Sequence, residues 1–357
     1  MTATVDTGSN TSSSTARGDA ARGDAADALR RARELTAPAL RAAVERLDPT
    51  CREQAAYHLG FLNPDGSPGA GGGKAVRPAL ALLSAEAAGA PATVGLPGAV
   101  AVELVHNFSL VHDDLMDGDT ERRHRPTVWA RWGPTAAILT GDALLALAQE
   151  VLLEATSPHA QAAGRALAAC TRTLIRGQAE DVAFERRSHV EVDECLAMAA
   201  GKTGALLATS ATIGALLAGA SCHLVAALDT FGAELGMAFQ LVDDLLGIWG
   251  DPAVTGKPVL SDLRSRKKSL PVTYAVRHGG AAGAELARWL AAPEEPTDDG
   301  LHRAAALVAD GGGRDWALGE ARRRHEQAEW ALNSVEVPGD VRDRLLALGR
   351  LLAAREF

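Results

Sequence analysis

GLPGAVAVELVHNFSLVHDDLMD, residues 95–117, decides the fold. It is long and apolar, and it lacks the strict alternation of a half-buried strand, so it reads as a helix from Gly95 to Asp117. The apolar run ends in charge. Asp113 and Asp117 are four apart and project from one helix face, with Asp114 about 100° around the axis. Two like charges at that spacing, at the negative end of the helix dipole, destabilise a bare helix. A solvated helix end tolerates them and a bound cation neutralises them; this stretch alone leaves both readings open.

The composition agrees with a helical chain. Of 357 residues, 47% are hydrophobic and only 4% aromatic. The strong helix formers Ala, Leu, Arg and Glu dominate, and Val and Ile never gather into alternating runs with hairpin signals. The expected fold is all-α: ten or more helices, many of them long. Helices are expected from Asp27 to Leu47, then up to Gly60, and over Ala79–Ala88, Gly95–Asp117, Trp132–Glu154, His159–Phe184, Val190–Ala220 and Leu224–Trp249. Shorter ones follow to Glu356. FLNPDGSPGAGGGKAVRP and GDPAVTGKPVLSDLRSRKKSLP are loops by their breakers. Residues 1–25 read as a disordered polar tail without a secretory signal, and 26–357 as one helical domain.

A net charge of -9 argues against general nucleic-acid binding. Cys51, Cys170, Cys195 and Cys222 are widely spaced without a CxxC pair, which suits a reducing cytoplasm. No stretch approaches the roughly 20 uninterrupted apolar residues of a membrane span. The best candidate, Leu206 to Ala220, reads as a buried core helix. GGGK lacks the spacing of a phosphate-binding P-loop, and His106 and His112 do not share a helix face for zinc.

A second acidic helix end changes the weight of the first. FQLVDDLLGIWGD again closes an apolar run with Asp243 and Asp244, followed by Asp251. Two such ends facing each other across a cavity would hold several Mg²⁺ ions, which take carboxylates together with substrate phosphate oxygens. A diphosphate is a ligand of that kind. Basic residues sit in the loops that would reach it: Lys74, Arg77, Arg122, Arg123, Lys202, Lys257, Lys267 and Lys268.

In this order, GGK-x-x-RP, HNFSLVHDDLMD, RRHRPT, GQAED, GKTGAL, FQLVDDLLGIWGD and GKPVLSDLRSRKKSLP resemble the trans-isoprenyl diphosphate synthases, the polyprenyl synthetase family. The resemblance implies an all-α isoprenoid synthase bundle around a deep cavity, usually a cytoplasmic homodimer. It implies head-to-tail condensation of isopentenyl diphosphate with an allylic diphosphate, using three Mg²⁺ per site, with Mn²⁺ an alternative. By carry-over, Asp113, Asp117 and Asp243 ligate metal, and Asp114 and Asp244 support them. Arg122, Lys202, Thr203, Gln240, Lys257 and Lys267 hold the allylic diphosphate. Lys74, Arg77, His106 and Arg123 hold the isopentenyl diphosphate, and Gln178 and Asp181 line the reacting centre with Thr203 and Gln240.

Two positions depart from the family pattern. Gly247 stands where the second motif often carries a further aspartate, and His124 stands where a glycine often follows the arginine pair. Chain length follows from the first helix. Phe108 lies five residues before Asp113, about 7.5 Å down the axis. With small Ser109 beside it and no insertion in the Asp motif, the resemblance implies a geranylgeranyl (twenty-carbon) product; Val105, one turn deeper and modest in size, leaves room for a twenty-five-carbon one. The alternatives are a farnesyl or twenty-five-carbon product, a class I terpene cyclase, or a non-catalytic subunit of a heteromeric synthase.

Overall fold

The computed structural model describes residues 11–251 and 259–353. Helix α1 spans Thr11–Val44 and α2 Pro49–His58. The Asp48-Pro49 break between them is a helix start: Asp48 accepts from the backbone N–H groups of Thr50 and Cys51, with proline just inside. Helix α3 (Val76–Ala87) follows the glycine loop, and α4 (Ala92–Met116) carries the first acidic end. Then come α5 (Val128–Trp132), α6 (Pro134–Leu153), α7 (Ala160–Glu185), α8 (Val192–Ala199), α9 (Ala205–Leu217) and α10 (Cys222–Trp249). The C-terminal third adds α11 (Ser261–Arg264), α12 (Leu270–His278), α13 (Gly280–Ala291), α14 (Asp298–Asp310), α15 (Gly313–Asn333) and α16 (Gly339–Ala353).

The two helices with acidic ends are central. Helix α4 packs against α3, α6 and α9, and α10 packs against α9 and α15. Leu80, Leu104, Leu144, Leu167, Leu207, Leu228 and Leu235 fill the space between them. Each such burial contributes roughly 1.5–3 kcal/mol. Glu86 ties the chain's two ends to this bundle: Arg31 of α1 reaches it at 2.7 Å and Arg344 of α16 at 3.5 Å.

Four sequence expectations need correction. Helix α1 begins at Thr11, inside the stretch read as a disordered tail, because ARGDAARGDAADALRRA is rich in strong helix formers. The single helix expected over Val190–Ala220 is α8 and α9 joined by a turn of π-helix, Ala200–Gly204. A short hairpin, β1 (Glu121–Arg122) with β2 (Arg125–Pro126), stands where no strand was expected. Finally, α4, α6 and α10 are long and apolar enough to cross a membrane by length and composition. Interruption by a few polar residues hid this from a search for unbroken runs. In the bundle, 61%, 39% and 56% of their apolar windows are buried against other helices, so α6 keeps the most exposed apolar face.

Candidate active site

The first acidic end is built by the last turn of α4 and the hairpin after it. Asp117 caps the helix through its N–H to the carbonyl of Asp113 and is itself exposed. Asp114 turns inward and is 1% exposed; Arg122 Nε donates to its Oδ1 at 2.7 Å, while its Oδ2 is buried without a partner among the described residues. Burial pushes the Asp114 carboxyl up to about 6 although Arg122 pulls it down. Burial also raises Asp113 and Asp117, against the pull of Lys202.

The hairpin explains how adjacent arginines take different tasks. Arg122 pairs with Arg125, and the two residues between them, Arg123 and His124, have φ of 54° and 59°. Positive φ at both central positions is the signature of a type I′ turn. Side chains alternate across such a ribbon. Arg122 turns to Asp114, and Arg123 turns to the glycine loop, where a Cβ on Gly72 would lie 2.7 Å from its Nη1. A side chain at 72 would take the space of the guanidinium.

A cavity of about 610 Å³ lies beyond, lined by Lys74, Arg77, His106 and Arg123 together with Arg122 and Asp243. The four residues expected at one diphosphate therefore converge, and Leu110, Leu207 and Phe239 give the cavity an apolar wall. Burial, then Arg77, Arg123 and Arg122, holds His106 well below its usual pKa, so its imidazole is neutral. Burial also lowers Arg77, whose Nε has no partner among the described residues.

The second acidic end is wired to the π turn. Lys202 Nζ donates to Asp181 Oδ2 at 2.6 Å, and Thr203 Oγ1 to Gln240 Oε1 at 2.6 Å. Gln240 Nε2 donates to Asp244 Oδ1 at 2.7 Å, and the other oxygen of Asp244 accepts from the backbone N–H of Leu270 at 2.9 Å. The extra residue in a π turn re-aims side chains and is frequent at functional sites. It fits here because α7 offers Gly177, where a Cβ would lie 2.4 Å from the nitrogen of Lys202. Asp244 is 4% exposed; burial raises its pKa to about 6, with Lys267 opposing. Burial alone would lower Lys267, but Asp262, Asp244, Asp181 and Asp117 outweigh it and raise its pKa.

Asp117, Asp181, Asp262 and Lys267 line a second cavity of about 500 Å³. Lys268 lies on its edge and donates to the carbonyl of Glu185 at 3.3 Å. Gln178 is buried nearby on α7, with neither amide atom partnered among the described residues. Lys257 lies outside the described residues.

Gly247 has a structural reason. A Cβ there would lie 2.4 Å from the carboxyl carbon of Asp262, so the space beside α10 is taken by a carboxylate from α11. Asp262 was not singled out in the sequence, nor was Glu103, which lines the larger cavity. Its signal was there: Glu103 is three residues before His106, on the same face of α4.

The donor set suits a hard divalent cation, since Asp113, Asp117 and Asp243 offer only carboxylate oxygen. Among the described residues, no three acidic, histidine or cysteine side chains close into a ready cage. Mg²⁺ keeps waters and takes substrate phosphate oxygens, so separate helix ends fit it where a closed all-protein cage is unnecessary. Burial is the main cause that raises Asp113, Asp114 and Asp117; neighbouring carboxyls add to it, while Lys202 and Arg122 oppose it.

On α4, Val105 and Phe108 are buried in the main core. The Phe108 ring meets His112 edge-on at 5.0 Å, and Ser109 Oγ donates to the carbonyl of His106 at 2.8 Å.

An all-α bundle with acidic ends on two central helices, one basic cavity and a second cavity of mixed charge, is the isoprenoid synthase fold. A polyprenyl synthetase of Streptomyces coelicolor A3(2) has it with a TM-score of 0.88 at 53% identity, over 92% of this chain and 100% of that one. The polyprenyl synthetase family matches residues 69–307, and the chain belongs to it. It is 55% identical to a (2E,6E)-farnesyl diphosphate synthase of Mycobacterium tuberculosis, over 91% of this chain and 92% of the relative. It is 46% identical to a geranylgeranyl diphosphate synthase of the same organism, over 92% and 93%. The chain is a trans-prenyltransferase of isoprenoid biosynthesis, in a family that uses a divalent metal.

Proposed function

We propose that the chain condenses isopentenyl diphosphate with a shorter allylic diphosphate, head-to-tail, to give geranylgeranyl diphosphate. The observation that carries the reading is the gathering of Lys74, Arg77, His106 and Arg123 around one cavity that also receives Arg122 and Asp243. In this reading those four hold isopentenyl diphosphate. Arg122, Lys202, Thr203, Gln240, Lys257 and Lys267 hold the allylic diphosphate. Asp113, Asp117 and Asp243 hold three Mg²⁺ (Mn²⁺ as an alternative), and Asp114 and Asp244 keep Arg122 and Gln240 in place.

Bound Mg²⁺ supplies charge stabilisation to the departing pyrophosphate. The side chains do the rest. Lys202, braced by Asp181, and Lys267, kept charged by its acidic neighbours, face the same leaving group. The C–O bond of the allylic diphosphate breaks, the isopentenyl double bond attacks the allylic carbon, and one proton leaves to the released pyrophosphate. Gln178 and the apolar wall face the reacting chains.

Phe108 and Ser109 support the twenty-carbon product: an aromatic floor with a small neighbour leaves more depth than two bulky side chains would. A farnesyl product is the second reading, favoured by the higher identity to the farnesyl diphosphate synthase. Ile138, Leu139 and Leu153 of α6 are 47%, 54% and 60% exposed, and this apolar face supports a homodimer. Four free thiols suit a cytoplasmic enzyme, and the helices from α1 onward form a single catalytic domain.

Steady-state assay of the full chain with both substrates and Mg²⁺ tests the roles. Asp113→Asn and Asp243→Asn should each lower kcat at least ~100-fold, the scale of losing one electrostatic stabiliser, without lowering the melting temperature. Retained turnover in either variant would remove that residue from the metal set.

A further inference from the structure

Glu103 poses a problem that the proposed function leaves unsolved. It is a carboxylate in the wall of the cavity that gathers Lys74, Arg77 and Arg123, where an incoming diphosphate would meet its repulsion. It belongs to a stripe of α4, Glu103, His106 and Leu110, that faces this cavity. One turn on, Asn107 is 1% exposed; its Nδ2 donates to the Glu103 carbonyl at 2.8 Å and to Oε1 at 3.3 Å. That side-chain bond uses one carboxylate oxygen and leaves Oε2 for the cavity. A Cβ on Gly73 would lie 3.7 Å from Arg123 Nη2 and 3.9 Å from Glu103 Oε1, so both groups reach the same point of the glycine loop.

We propose that Glu103 is a positioning residue for isopentenyl diphosphate: anchored by Asn107, its carboxylate draws Arg77 and Arg123 to the cavity wall while leaving their N–H groups for the ligand. No ion pair to Glu103 closes within 4.0 Å among the described residues. That standoff is what the role requires, because a bidentate pair would consume the donors that a diphosphate needs. Arg122 shows the opposite arrangement, with its Nε committed to Asp114. Charge balance agrees: after burial, Glu103 is the largest influence on both Arg77 and Arg123, and it favours their charged forms. Asp243, in the lining of the same cavity, adds a smaller pull of the same sign on Arg77.

The inference rests on the assignment of this cavity to isopentenyl diphosphate, and the test separates the two. Full-length Glu103→Gln, Glu103→Asp and Arg123→Ala are compared with the parent for KM toward each substrate, kcat and melting temperature. Glu103→Gln should raise KM for isopentenyl diphosphate about tenfold, equivalent to about 1.4 kcal/mol, with allylic KM within about twofold and the melting temperature not lowered. Glu103→Asp should recover part of the loss. An unchanged or lower KM for isopentenyl diphosphate in Glu103→Gln overturns the proposal, as does an equal rise in both KM values with a lowered melting temperature. Failure of Glu103→Asp to recover more than Glu103→Gln also overturns it. If Arg123→Ala also leaves KM for isopentenyl diphosphate unchanged, the cavity assignment fails with it.

Discussion

His124 holds a left-handed backbone, φ 59°, at the second central position of the hairpin turn. That conformation costs a non-glycine residue roughly 1–2 kcal/mol, and glycine there gives back roughly 0.5–1 kcal/mol in chain entropy. His124→Gly is therefore expected to stabilise the protein by about 0.5–1 kcal/mol, read as a higher denaturant midpoint with an unchanged slope. Gly247 gives the opposite case. Gly247→Asp would drive a side chain into the Asp262 carboxyl and should cost about 1–3 kcal/mol, as overpacking does. An unchanged midpoint would mean that Asp262 does not sit beside α10.

At the scale of elements, the two acidic helix ends act through buried carboxyls that resist ionisation. Asp244 titrates near 6 when folded and near ~3.9 when unfolded. Between those values the folded state holds a proton that the unfolded state has lost, so this group's contribution to stability falls as pH rises through the window. In metal-free protein, the stability of Asp244→Asn relative to the parent should rise from pH 4 to pH 6 and level off above 7. A difference independent of pH would contradict the burial of Asp244. Helices α4 and α10 were legible in the sequence because long apolar runs ending in paired aspartates leave few other readings. The π turn was not: GKTGA has helical neighbours on both sides, and the extra residue is dictated by Gly177 and Gly236 closing on it. The hairpin was hidden for a similar reason, since its two positive φ values fall on arginine and histidine where asparagine or glycine would announce a turn.

Across the whole molecule, helix content and the grouping of Lys74, Arg77, His106 and Arg123 could be read from motifs in order. Asp262 could not, because it matters through what another element brings to it, and Glu103 carried only its spacing from His106, without the basic groups that the glycine loop and hairpin bring to it. The depth available to the product is likewise a property of the packed bundle, and Phe108, buried in its main core, is the proposed floor. The direct test is to incubate the full-length protein with labelled isopentenyl diphosphate, farnesyl diphosphate and Mg²⁺, and to size the products. The account predicts a geranylgeranyl product that lengthens in Phe108→Ala. Farnesyl diphosphate left unextended would contradict it, and so would a product distribution that Phe108→Ala does not change.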